Sequence, residues 1–300
     1  MNEGSLISVI IPTKDRSTEL ARAIKSVLSQ TYQSFEILVV DDKSSEDVKL
    51  VTEKFEDNRI KYFLNTKIES NANVCRNIGL QNAKGEFVAM LDSDDAWLPH
   101  HLESKLTFLL ENEYDGVFGS AYVDDGEKRI LRLSRPRGEK ELMLDYLLTT
   151  GKAPTPTHFY KTVCARQILW DETLLRHQDF DFSARFAERF SFEASESATC
   201  IIHWEKGENR LEHTPSQIRF YELHIDHISA PIRVKYCTEI YSKLLSRDNV
   251  PQSYLSFFYK ESIRNIRFMS FADFCLLKSH KSSLDKVLNR FEFAYRVIFT

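Results

Sequence analysis

The sequence predicts an α/β protein: a mostly parallel mixed sheet flanked by helices, followed by a helical C-terminal region. Three observations predict it. Short apolar runs rich in β-branched residues recur through the first third of the chain, each ended by a polar cluster. The stretches between them carry apolar residues at helical spacing, and strands that alternate with helices build parallel sheets whose right-handed crossovers put every strand's carboxyl end on one side. Beyond about residue 210 the strand pattern ends, and the chain reads as helical and aromatic-rich.

Taken in order, residues 7–11 (ISVII) form a continuous apolar run ended by Pro12, as expected of a strand buried on both faces. The polar turn Thr13-Lys14-Asp15-Arg16 follows. From Ser17, Leu20, Ala23, Ile24, Val27 and Leu28 recur at helical spacing, with Glu19 in the first turn, where the helix dipole favours an acid. Residues 35–40 (FEILVV) are a second buried strand, ending abruptly in Asp41-Asp42 before a helical stretch at 48–55 and a short strand at 60–64. A helix is expected over 71–83, with Ala72, Cys75, Ile78 and Gly79 inward, and after Lys84-Gly85 a strand over 86–91. A helix at 101–113, a strand at 117–123 and a charged link over 124–140 come next. Residues 155–163 read as extended, 179–190 as helical and 199–202 as an apolar strand. The expected domains are 1–210 and 211–300.

Composition narrows the class. With 42% hydrophobic and 28% charged residues, 9 Gly and 8 Pro in 300, the chain is ordinary globular protein rather than a disordered or repetitive one. Its net charge of −4 is too near balance for a dedicated nucleic-acid binder. Five cysteines, never spaced C-x-x-C, predict neither a disulfide framework nor a zinc ribbon, and a reducing cytoplasmic location fits them. The N-terminus reads as lacking a signal peptide, and no 18-residue apolar stretch is present.

The sharpest local signal is Leu91-Asp92-Ser93-Asp94-Asp95, three acids in four residues directly after an apolar strand. Crowded carboxylates repel unless a cation or a donor-rich ligand compensates them, and hard divalent cations suit oxygen ligands. Mg²⁺ takes only one or two protein carboxylates and completes its shell with phosphate oxygens, so a diphosphate ligand is implied. The other reading is a solvated acidic turn in which Asp94 or Asp95 caps the next helix. Asp41-Asp42 repeats the arrangement at the end of another strand, and with the Pro12–Arg16 turn makes a ligand site of the kind that open α/β sheets form at strand ends. Neither G-x-G-x-x-G nor a P-loop motif occurs. Asp42 is placed to accept from a base imide N–H or a ribose hydroxyl; its other reading is a helix N-cap.

These residues carry a resemblance. Residues 7–98, ISVIIPTKDRSTELARAIKSVLSQTYQSFEILVVDDKSSED and later NANVCRNIGLQNAKGEFVAMLDSDDAWL, resemble the nucleotide-sugar-binding half of the family 2 glycosyltransferases. The likeness is close over about the first 100 residues and weaker to about residue 205. It implies the Rossmann-like GT-A fold and an inverting transfer from a nucleotide-sugar, commonly UDP-linked, assisted by Mn²⁺ or Mg²⁺. By position, Pro12 and Lys14, in the loop that also holds Thr13 and Arg16, fall where the family contacts the base. Asp42 falls where an acid reads the base, and Arg76 where a basic residue reaches nucleotide or phosphate. Asp92 and Asp94 match the D-x-D motif around Ser93, the first near the ribose and the second on the metal, with Asp95 adjoining. Lys14 stands where the family usually has an aromatic, so the resemblance implies no base stacking at this position.

Inverting transfer needs a base for the acceptor hydroxyl. The family carries it in an E-D dipeptide followed by an aromatic and another acid; here Gln178-Asp179-Phe180-Asp181 matches, with Gln178 replacing Glu. Asp179 is the implied base, its alternative again a helix N-cap. Asp181 is assigned a structural role. His203 is a candidate for the metal shell; His177, Trp97, Arg210 and His213 are candidates for acceptor or diphosphate contacts, each set against an ordinary core or surface role.

Residues 245–300 hold nine Lys or Arg against five Asp or Glu. With their aromatics they suit helix packing first, and a peripheral membrane contact or a homodimer interface as alternatives. The resulting expectation is a metal-dependent inverting glycosyltransferase acting on a glycan or lipid-linked acceptor in bacterial surface polysaccharide synthesis, with no nucleic-acid partner. A nucleotidyltransferase that makes nucleotide-sugars is the enzymatic rival, although PTKDR lacks the Gly-rich loop it would need. A non-catalytic nucleotide-sugar-binding module is the rival from another class.

Overall fold

The computed structural model describes residues 4–149, 153–204, 213–270 and 273, and the chain divides into two compact units, Met1–Asn209 and Arg210–Thr300. In the first, β1 (Ile7–Thr13), α1 (Ser17–Leu28), β2 (Phe35–Asp41), α2 (Val48–Glu53), β3 (Ile60–Leu64), α3 (Ala72–Asn82) and β4 (Phe87–Met90) alternate as expected. Then follow β5 (Ala96–Trp97), α4 (His101–Glu111), β6 (Gly116–Asp124), β7 (Arg129–Arg132), α5 (Met143–Thr149), β8 (Phe159–Lys161), α6 (Thr162–Ile168), α7 (Gln178–Ala187) and β9 (Phe192–His203).

One mixed sheet runs β3-β2-β1-β4-β8-β6-β9-β5, with β7 paired to β6. β1, β2, β3 and β4 are parallel neighbours, as are β6 and β9; β8, β7 and β5 pair antiparallel. The chain steps outward from β1 through β2 to β3 and then returns to the other side of β1 as β4. That reversal is a topological switch point, and it opens a crevice at the carboxyl ends of β1, β2 and β4.

Every residue of β1 and β2 is buried, and burial of each Val, Leu or Ile contributes roughly 1.5–3 kcal/mol. Their two polar interruptions, Ser8 and Glu36, are register partners, and the Ser8 hydroxyl donates to Glu36 at 2.7 Å. Pro12 is tolerated inside β1 because β4 pairs only as far as Met90. Ile10 O accepts from Leu91 N, so by strand alternation the Pro12 nitrogen also faces the β4 side, past the end of that ladder. Gly79 lets α3 lie against β1, since a Cβ there would meet the Ile10 side chain at 2.5 Å. α1 buries Leu20, Ala23, Ile24 and Val27 against the same core.

Three sequence expectations differ from the structure. The charged link 124–140 contains β7, whose four residues are all exposed, so no buried face signals it. The extended stretch 155–163 resolves into a 3₁₀ turn at Thr155–Thr157, the three-residue β8 and the start of α6, which at seven residues is too short to display a helical period. β9 is twelve residues long because it pairs with β6 along its length, around an irregularity between Gly119 and Ala121.

The second unit contains α8 (Thr214–His224), α9 (Ala230–Leu245) and α10 (Gln252–Arg264), with 3₁₀ turns at Ile225–His227 and Ile266–Phe268. Its aromatics pack helix on helix: Phe220, Tyr221 and Phe258 are buried, and Tyr221 stacks on Tyr236 with ring centroids 6.0 Å apart. Phe271, Phe274, Phe291 and Phe293 lie outside the described residues. Among the described residues no helix is long and apolar enough to cross a membrane.

Candidate active site

Three strand ends meet at the switch point. At the end of β1, Thr13 is buried and its carbonyl accepts from Asp42 N at 2.8 Å, which ties the loop to the end of β2. Asp42 is 4% exposed and held from two sides: Asn65 Nδ2 donates to Oδ1 at 2.7 Å and Ser70 Oγ to Oδ2 at 2.9 Å. Lys14 Nζ donates to the same Ser70 hydroxyl at 3.2 Å, so Lys14, Ser70 and Asp42 form one hydrogen-bonded chain. Asp42 is no helix cap; Asp47 caps α2, accepting from Leu50 N at 2.9 Å. Asp41 is engaged by Ser44 and Tyr62.

At the end of β4 the acidic residues separate into different environments. Asp92 Oδ1 accepts from Arg76 at 2.7 Å, Asp94 is paired with Arg16, and its carbonyl accepts from Arg22. Asp95 turns inward and accepts from His203 N at 2.9 Å, fastening the acidic turn to β9. Loss of solvent, then the charge of Asp92, pushes the Asp94 carboxyl above the usual carboxylate range despite Arg16. Burial and the charges of Asp92 and Asp94 push Asp95 well above it. Ser93 is buried within the turn.

The second acidic element is the start of α7. His177, at φ 59°, occupies the N-cap and stacks on Phe180, so Asp179 stands in the first turn instead of capping the helix. Asp179 is partly buried, and desolvation raises its carboxyl above the ordinary range even though Arg176 and Arg76 pull it down. Asp181 is buried and clasped by Arg185, which also donates to the carbonyls of Ile168 and Leu169; its role is structural, as expected.

Arg76 links the two acidic elements. It is 2% exposed, bonded to Asp92 and to Asn73, its guanidinium lies 4.7 Å over the Trp170 ring, and its charge acts on Asp179. Trp170 stacks in turn on Phe182 of α7 at 4.4 Å. The loop between α6 and α7 is moored to α3 by asparagines: Asn73 donates to the carbonyls of Asp171 and Leu174, and Asn77 exchanges bonds with both the carbonyl and the N–H of Trp170. Sequence reasoning missed Asn73, Asn77 and Trp170. The available signal was a helix carrying Asn73 and Asn77 around an arginine, polar residues with poor helix propensity that need buried partners.

Two candidates are corrected. Trp97 is 4% exposed, its Nε1 donates to Pro156 O at 2.7 Å and it stacks on His101, so it belongs to the core and faces no acceptor. Asp95, expected beside a metal, is spent on the β9 clasp. Arg210 lies outside the described residues, and His213 stands at the N-cap of α8 in the second unit.

The profile of glycosyl transferase family 2 matches residues 8–168. The chain belongs to glycosyl transferase family 2. Within the family it is 37% identical over 132 residues, 44% of this chain and 52% of the other, to a UDP-Glc:α-D-GlcNAc-diphosphoundecaprenol β-1,3-glucosyltransferase of Escherichia coli. It spans about half, or less, of the length of the first curated relatives it matches. Its fold is GT-A and resembles that of Staphylococcus aureus TarS 1–349 in complex with UDP-GlcNAc: TM-score 0.56, 18% identity, 87% of this chain and 89% of that one. A mannosyltransferase from Pyrobaculum calidifontis in complex with GDP-Man and Mn²⁺ superimposes with TM-score 0.55 at 15% identity, over 99% of this chain and 81% of that one.

A family 2 metal can be tested against the residues present. Among the described residues no three His, Cys, Asp or Glu side chains come together as a group that could hold a metal ion. A cation that shares its shell with a diphosphate needs fewer, and Asp92 and Asp94 supply hard oxygen donors whose crowding such a charge would relieve. His203 carries a buried Nδ1 with no hydrogen-bond partner among the described residues, and burial, then Arg22, lowers its pKa and favours the neutral imidazole that binds metals. The residues fit a divalent cation, provided Arg16 yields Asp94.

Proposed function

We propose that this chain transfers a sugar, with inversion, from a UDP-linked nucleotide-sugar to a hydroxyl of a lipid-linked or growing-polysaccharide acceptor. The observation that carries the reading is Arg76, which contacts Asp92 of the acidic turn and lies over Trp170, whose ring stacks on Phe182 of the helix that carries Asp179, so one buried cation is packed between the two acidic elements. The names of the E. coli relative and of the TarS complex, with their UDP-sugars, support the donor class, and the diphosphoundecaprenol in the former supports the acceptor class.

Pro12, Thr13, Lys14 and Arg16 frame the base. Asp42, each of whose oxygens retains acceptor capacity, takes the imide N–H or a ribose hydroxyl. Asp92 and Ser93 face the ribose, and Arg76 reaches toward the diphosphate. Asp94 and Asp92, together with diphosphate oxygens, would hold Mn²⁺ or Mg²⁺, which when bound would offset charge on the departing diphosphate. Asp179 accepts the acceptor's hydroxyl proton as the new C–O bond forms at the anomeric carbon and the bond to the diphosphate oxygen breaks on the opposite face. A carboxylate raised by desolvation is a better base than one in water.

The test is incubation of the full chain with UDP-sugars and a diphosphate-lipid-linked sugar. Acceptor-dependent UDP release with an inverted linkage is expected. Pyrophosphate formation from UTP and a sugar phosphate would establish the nucleotidyltransferase instead.

A further inference from the structure

The three acids of the turn after β4 are each held, by partners that differ in kind. Asp92 pairs with Arg76, whose side chain is only 3% exposed, and Asp95 accepts from the backbone N–H of His203. Asp94 pairs with Arg16, and there both side chains reach solvent, at 41% and 32% exposure. Arg76 is locked in place by Asn73 and the Trp170 ring. The Arg16 guanidinium makes no other hydrogen bond among the described residues.

The backbone around Arg16 is fixed even though its side chain is not. Asp15 N donates to Ser44 Oγ at 2.9 Å, Asp15 Oδ1 accepts from Ser45 N at 2.6 Å, and Ser17 N donates to Glu46 Oε2 at 3.1 Å. The residues on both sides of Arg16 are thus tied to the loop after β2. Arg16 itself stands at the N-cap of α1, where its side chain makes no cap bond. A long, half-exposed side chain on an anchored backbone can leave its carboxylate without moving the loop. Further along α1, Arg22 donates to the Asp94 carbonyl instead of its carboxylate. The helix therefore presents two cations to one residue. Arg22 holds the backbone of the turn whatever the carboxylate binds, whereas Arg16 occupies an oxygen donor of the kind that a hard divalent cation takes.

We propose that Arg16 is the resident counter-ion of the acidic turn and sets its affinity for a divalent cation: it neutralises Asp94 before a nucleotide-sugar arrives, and its departure frees that carboxylate. Neighbouring carboxylates repel one another, so the turn needs such a charge in the meantime. An exposed ion pair is weak enough to be exchanged. This role for Arg16 rests on the assignment of Asp94 to the metal in the function proposed above, and Arg22 supplies an internal control.

The experiment follows Mn²⁺ binding to the full chain by electron paramagnetic resonance, with Mn²⁺ alone and with UDP present, at alkaline pH so that protons do not compete. Arg16→Gln should reach half-saturation at an Mn²⁺ concentration about threefold to fivefold lower than the wild type, the size expected of an exposed ion pair. Arg22→Gln should gain less. In chelator Arg16→Gln should have the lower Tm, and Mn²⁺ should raise Tm more in this variant than in the wild type, because the tighter site draws more stabilisation from the same ion concentration. Circular dichroism should be unchanged, since the substituted side chain is half-exposed. Unchanged or weakened Mn²⁺ binding in Arg16→Gln, an equal or larger gain in Arg22→Gln, or a Tm deficit of the same size with and without Mn²⁺ would each overturn the counter-ion. So would the absence of Mn²⁺ binding in both conditions, which would remove the metal from the proposed function as well. Tighter binding without sugar transfer would leave the counter-ion intact and remove the proposed transferase; transfer with an unchanged Mn²⁺ affinity would do the reverse.

Discussion

The acidic turn after β4 and the start of α7 both hold carboxylates raised above their ordinary range, for reasons that differ in one respect. Asp94 and Asp95 suffer desolvation and also the repulsion of neighbouring carboxylates, whereas Asp179 suffers desolvation alone, with Arg176 and Arg76 offsetting part of it. A cation bound at the turn would relieve the first pair. It would leave Asp179 in the environment that makes it basic. On the proposed function, the first environment suits a charge-binding site and the second a proton acceptor.

The largest expected effect tests the proton-accepting half. Asp179→Asn should lower turnover by about 10²–10⁴-fold and leave UDP affinity nearly unchanged, measured by steady-state rates beside calorimetric binding. Retained turnover would break the contrast. At the other half, Asp94→Asn should abolish the metal-dependent increment of UDP binding and lower transfer by about 10²-fold or more, and a chelator should produce the same loss in the wild type but little further loss in the variant.

The pH profile sharpens the comparison. Because the Asp179 carboxyl is raised, the acid limb of kcat/KM should fall above the ordinary carboxylate range, with activity lost as pH drops through it. Arg76→Lys keeps the charge but loses the planar stack on Trp170, whereas Arg76→Gln removes the charge and should move that limb to higher pH. Stability has the opposite sign. A carboxyl whose folded pKa exceeds its unfolded one makes the native state hold more protons between the two values, so its contribution falls as pH rises through that window. Asp179→Asn should accordingly raise Tm at neutral pH by a few degrees while removing activity, a combination that a merely structural carboxylate would not show. The smallest effect concerns the mooring: Asn77→Ala leaves the Trp170 backbone unpaired and should cost about 1–3 kcal/mol in a urea titration.

Much of the first unit was legible. β-branched runs at 7–11 and 35–40 and the helical spacing from Leu20 to Leu28 are local signals, and each element formed where they stand. The antiparallel half was less so: β5 has two residues, β8 three and α6 seven, all too short for periodicity to separate strand from helix. Within the site, Asp92, Asp94, Asp179 and Arg76 were named from the sequence, yet Trp97 and Asp95 were misplaced because an indole or a carboxylate near a motif looks the same whether it faces inward or outward. His203 was named from the sequence as a metal candidate, and β9 carries its backbone N–H to Asp95 of the acidic turn.

What the sequence alone determined is where acids end strands, on the carboxyl side of a parallel sheet; residues adjacent in the chain fix that. Which acid does what was decided by tertiary structure. Asp92 meets Arg76 across 16 residues, Asp95 meets His203 across 108, and Asn77 holds Trp170 across 93. A carboxylate's charge state depends on the solvent removed and the cations supplied by such distant segments, and no local spacing encodes either.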